Sequence, residues 1–83
     1  MVVLKKIKKV GETISCNYYP EGTDACGYIS INARTGDVVE EVHSNFPGEI
    51  VFPEQAYANF AIKRLRELRE QTPLPETSTV MWY

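Results

Sequence analysis

The sequence predicts an α+β domain. It should be an antiparallel three- to four-stranded β-meander packed against one C-terminal amphipathic helix, with the C-terminal tail returning to the sheet or helix. Two observations carry that expectation. Between Thr13 and His43, short alternating runs are separated by turn signals, and after Pro53 the apolar period lengthens from two to between three and four. The 83 residues make one domain, residues 1–83, because so short a chain builds a single core. Its radius of gyration should be about 12 Å. A domain of this size buries only roughly 60–65% of the surface its unfolded chain exposes, so added apolar cover from a tail or partner matters.

Val2 to Val10 is β-branched and lysine-rich and reads as an edge strand, where lysines discourage pairing with other chains. The pattern does not fix its pairing partner. Ile14, Cys16 and Tyr18 alternate with Ser15, Asn17 and Tyr19, as in a half-buried strand. Pro20-Glu21-Gly22 is a turn, with proline presetting φ at the second position and glycine accepting positive φ. From Cys26 to Asn32, Ile29 and Ile31 share one face and Tyr28 and Ser30 the other. Ala33-Arg34-Thr35-Gly36 is a four-residue loop whose glycine should be left-handed and form a bulge, and Asp37 to His43 is the next strand. A β-branched residue in place of Gly36 should weaken that hairpin.

Ser44 to Glu49 is a loop, and Ile50 to Phe52 is too short to assign. Pro53 suits the first position of a helix running to about Gln71. On that helix Tyr57, Phe60, Ala61, Leu65 and Leu68 form one stripe, and Pro73 stops it. The expected core is Ile14, Cys16, Tyr18, Ile29, Ile31, Val38, Val42, Phe60, Ala61, Leu65 and Leu68. In Tyr18-Tyr19-Pro20-Glu21-Gly22, in Gly27-Tyr28-Ile29 with Thr35-Gly36-Asp37-Val38, and in Met81-Trp82-Tyr83, the chain resembles short uncharacterised bacterial proteins with no assigned function. The resemblance covers most of the length and implies no site residues.

The net charge of −2 gives no general attraction to nucleic acid or anionic membrane. The charges are segregated. Lys5, Lys6, Lys8 and Lys9 form one basic cluster and Lys63, Arg64, Arg66 and Arg69 another, while eight acidic residues lie from Glu12 to Glu54 with only Arg34 against them. No apolar run approaches the ~20 residues of a membrane-spanning helix, so no membrane partner is expected. The start, Met-Val-Val-Leu followed by lysines, lacks a signal peptide's apolar region. A cytoplasmic protein with free thiols is the expectation.

Cys16, Cys26 and His43 are the only soft metal-ligand types, and the cysteines lack the close pairing of a zinc site. No metal or cofactor is therefore expected. A thiolate–imidazole pair would need contact, an orienting third group and an oxyanion site, which residue identity alone does not supply. Glu40 and Glu41 are adjacent on a strand and point to opposite faces, so they form no acid–base couple. The glycines are scattered and none opens the helix, which excludes a phosphate loop. What remains is a non-enzymatic protein-interaction or small regulatory module, with a homodimer among its forms. Its contact residues would be Tyr18, Tyr19, Trp82 and Tyr83, since aromatic residues near a chain end either dock or anchor a partner. The alternative is a nucleic-acid-binding protein using both basic clusters.

Overall fold

The structure, a computed structural model, describes residues 1–47 and 52–82. Strands β1 (Val2–Val10), β2 (Thr13–Pro20), β3 (Gly27–Asn32) and β4 (Val38–Val42) are followed by helix α1 (Glu54–Leu68) and a short strand β5 (Ser78–Val80). The sheet has the order β4-β3-β2-β1-β5 and every neighbouring pair is antiparallel. The first four strands are thus a meander, and the tail returns to add a fifth strand. Helix α1 lies over β3, β2 and β1 on one face only.

The position of β1 corrects the expectation of an edge strand. Val2, Val3 and Leu4 lie between β2 and β5, with Val2 opposite Val80 and Leu4 opposite Ser78. Its apolar start needs cover, and the β-prone tail supplies it. Beyond Ile7, whose N–H donates to the Glu76 carbonyl at 3.0 Å, no strand pairs with its outer side among the described residues. That half carries the lysines, so the protective logic holds there. Strict alternation would send Lys6 and Lys8 inward after Val2 and Leu4. A bulge between Lys5 and Lys8, with Lys6 at φ 55°, skips one residue and puts Ile7 into the core instead.

The turn after β2 also differs from expectation. Pro20 is the last strand residue, and Glu21 (φ 53°) and Gly22 (φ 70°) are the two left-handed central residues of a primed turn closed by Thr23 N–H to Pro20 O at 3.0 Å. A primed turn suits the strand twist, and Glu21 is held in it by the Tyr57 hydroxyl (2.7 Å) and the Met1 ammonium (3.1 Å). Between β3 and β4, Gly36 has φ 84°, as expected, and Asn32 Oδ1 accepts from the N–H groups of Arg34 and Thr35. The residue left out of the ladder is Val39, between the pairs Ser30–Glu40 and Ile31–Val38.

Pro53 is a non-helical cap (φ −68°, ψ 154°), so the helix starts at Glu54. It ends at Leu68 rather than near Gln71, because Gln71 N–H turns back to Leu68 O. Tyr57, Ala58, Ala61, Ile62, Leu65 and Leu68 are its buried residues. They pack on Val2, Leu4, Ile7, Ile14, Cys16, Tyr18, Ile29, Ile31 and Val80. Val38 and Val42, expected in the core, are 39% and 50% exposed. β4 is the outer strand and the helix does not reach over it, and Val42 pairs with Tyr28 on the opposite face. Phe60 is only partly buried and stacks on Trp82, with ring centroids 4.1 Å apart and planes 6° from parallel. The tail is docked through Val80 and Trp82.

Candidate functional site

With the one helix on one side, no other element covers the opposite face of the sheet among the described residues. The strand registers place its residues in rows. One row is Val42, Tyr28, Asn17 and Lys5, running from β4 to β1; the next is Glu40, Ser30, Ser15 and Lys8. Tyr19 is opposite Val3 on the same face, and Val3 is opposite Thr79 of β5. The Lys5 ammonium lies 5.1 Å from the Tyr19 ring centre, a cation–π arrangement. The Cys26 thiol beside the Tyr19 hydroxyl raises its pKa, with Asn17 acting in the opposite sense. Ser15 and Ser30 are buried beneath their larger neighbours. The face is therefore aromatic and amide-rich at its centre, acidic at the β4 end and basic at the β1 end.

Of the residues expected to contact a partner, only Tyr19 lies on this face. Tyr18 points the other way and is fully buried, as the alternation of a strand requires. Trp82 sits against Phe60, Phe52 and Tyr57, and Tyr83 lies outside the described residues. Tyr28, Asn17, Ser15 and Ser30 were readable as the polar phase of their strands, but only the pairing registers bring them into rows.

The two basic clusters do not share a surface. Lys5 and Lys8 belong to the open face, since they pair with Asn17 and Ser15. On the helix, Arg64 donates to Ser78 Oγ (2.6 Å) and Glu67 Oε1 (3.1 Å), and Arg66 donates to the Gly36 carbonyl (2.8 Å). Arg69 packs over Gly36: a Cβ there would lie 2.6 Å from its Nη1. These arginines tie the helix to β5 and to the β3–β4 turn, leaving Lys63 exposed on the outer side.

A second polar group fastens the start of the helix. Glu54 Oε2 accepts from the Tyr18 hydroxyl (2.9 Å), the Ser44 hydroxyl (2.5 Å) and the Ser44 N–H (3.3 Å). Burial, and then the bond to Glu54, raise the Tyr18 pKa. His43 stands between two carboxylates, with Nε2 2.5 Å from Glu41 Oε2 and Nδ1 3.5 Å from Glu54 Oε1. The Ser44 hydroxyl donates to Glu54, so the imidazole is not its base in this geometry. Glu54→Ala strands the buried Tyr18 and Ser44 groups and should cost about 1–3 kcal/mol. Urea unfolding should show that loss, with Tyr18→Phe costing less because the Ser44 N–H that also donates to the Tyr18 hydroxyl keeps Glu54 Oε2 as an acceptor.

His43 lowers the Glu41 pKa below its ordinary value of 4.5, with burial opposing and the Gln55 amide adding to the lowering. A depressed carboxylate stabilises the fold above the ordinary value, and the gain is lost as pH falls through the folded one. The stability difference between wild type and Glu41→Gln should therefore shrink on acidification below about pH 4.5. Thermal melts of both proteins across that range check it; a constant difference would contradict the assignment.

Cys16 is buried under the helix, and burial pushes its thiol up to about 12. It cannot supply a thiolate near neutral pH. Cys26 is exposed at the other face, and His43 lies past the end of β4. These three residues thus stand in three places, and among the described residues no three His, Cys, Asp or Glu side chains form a metal-holding group. No helix among these residues is long and apolar enough to cross a membrane. No protein-family model, curated protein or solved structure matches the chain.

Proposed function

We propose that the chain is a non-enzymatic protein-interaction module that presents the open sheet face to a protein partner. The observation supporting this reading is the position of Tyr19 and Tyr28 on the face the helix leaves bare. Aromatic side chains there add nothing to the core. Tyrosine offers a large contact area at low entropic cost, and serine and asparagine offer adaptable hydrogen bonds. Rings near the centre of a patch are the residues that carry binding energy. A reducing cytoplasm suits the exposed, unpaired Cys26.

Affinity capture with wild type and with Tyr19→Ala/Tyr28→Ala, each with and without nuclease, tests the reading. A protein that survives nuclease and is lost from the double variant supports it, provided the variant melts like the wild type. Equal capture by both proteins would sink it. A nucleic-acid reading is favoured only by Lys5 and Lys8 lying on the same face as the two tyrosines. It requires capture to vanish with nuclease and binding to weaken steeply with salt.

A further inference from the structure

We infer that the partner on this face is a second copy of the chain, packed face to face about a two-fold axis running along the strands between β2 and β3. This rests on reading the open face as the contact surface. The other surfaces are poor places for self-association. The β4 edge carries Glu40 and Glu41 and is interrupted by the extra residue Val39, so pairing with its own copy opposes like charges. The unpaired half of β1 carries Lys6, Lys8 and Lys9, a protected edge. The outer side of the helix mixes Asn59, Lys63, Arg66, Glu67 and Glu70, all exposed, and reads as a solvated face.

The open face is complementary to itself. An axis along the strands between β2 and β3 turns the sheet over from left to right. β3 then lies above β2 of the second copy, and β4 above its β1. Residues in one row stay in one row. Tyr28 meets Asn17 of the second copy and Glu40 meets its Lys8, and each contact occurs twice because an isologous interface repeats every pair. Ser15 and Ser30 are buried between the taller rows on either side, and the opposite charges stand at the two ends of their row. Packed sheets cross at about 30°, which displaces the ends by only a few ångström, within reach of lysine and glutamate.

Strand and residue spacings put the face on the order of 500 Å². That is below the roughly 800 Å² per partner of a standard interface. The dimer is therefore one that dissociates on dilution rather than an obligate one.

Sedimentation equilibrium of the full chain over a concentration series is the test, with circular dichroism confirming that each variant folds; Lys8 and Glu40 are both exposed. Wild type is expected to show a monomer–dimer equilibrium. Glu40→Lys and Lys8→Glu should each weaken it about tenfold or more, since each places two like-charged pairs in the interface. An equimolar mixture of the two variants should recover the dimer, because a mixed pair again sets opposite charges together at both ends. A wild-type dimer indifferent to both reversals, or a mixture that stays monomeric, would overturn the geometry. A wild type that stays monomeric while the double tyrosine variant loses a captured protein would overturn the second copy and leave the face reading standing. Self-association and capture both indifferent to the tyrosine pair would remove both.

Discussion

Tyr57→Ala should lower the unfolding free energy by about 3–5 kcal/mol, the cost of removing a large buried aromatic side chain. Tyr57 is fully buried, and its ring meets those of Phe46, Phe52 and Trp82 at centroid distances of 5.2, 6.2 and 5.5 Å. The loop before the helix and the tail thus converge on one side chain of the helix. Its hydroxyl also reaches Glu21 in the strained β2–β3 turn. Truncation opens a cavity where the loop before the helix, the tail and the turn meet, and no single segment can collapse to fill it. Urea unfolding gives the magnitude. The single tryptophan reports the mechanism, since Trp82 emission should shift as it loses a ring neighbour. Tyr57→Phe keeps the rings and removes one bond to a carboxylate, so it should cost about 1.5–3 kcal/mol. Equal losses for the two variants would mean the ring packing contributes little.

Gly27→Ala should be the most damaging single-methyl change, costing about 1–3 kcal/mol or more through overpacking. Gly27 is opposite Tyr18 in the β2–β3 ladder, and the tyrosine ring lies across it. A Cβ at Gly27 would fall 2.6 Å from the Tyr18 oxygen and closer still to ring carbons. The ring cannot step aside, because its hydroxyl is fixed to Glu54 and its body is fully buried. Gly36, by contrast, is needed for its left-handed backbone. Combining Gly27→Ala with Tyr18→Leu should recover part of the loss, and a double-mutant cycle measures the coupling. Strictly additive effects would show that the clash is relieved by backbone movement instead.

Much of this architecture was legible in the residue string. The meander, the left-handed Gly36 and the helical stripe follow from local periodicity and turn chemistry, which act over a few residues. What escaped was set by distant partners. The exposure of Val38 and Val42 depends on where the helix lies across the sheet, and β1 became an inner strand through pairing with residues almost eighty positions away. The bulge at Lys6 had a local trace in the broken alternation of Val2, Leu4 and Ile7, visible only once an inward Lys6 is seen as costly. The candidate face was half legible. Tyr19 and Tyr28 stand in the polar phase of their strands, but of the two only Tyr19 was among the expected contacts, and its neighbour Tyr18 points into the core. Trp82 carried no periodic signal that it would dock.

The pairing of β1 with β5 bears on the order in which the molecule assembles. The meander strands meet through short turns, so their contacts close small loops and form early. The fifth strand must join the two ends of the chain across nearly its whole length, and only three of its residues are strand. Its large sequence separation should make it the last element to arrive and the first to leave, a unit of opening held by the docked Trp82. While it is away, Val2, Val3 and Leu4 form a bare apolar edge without lysines. The molecule is most prone to aggregate in that interval, before its tail closes the sheet.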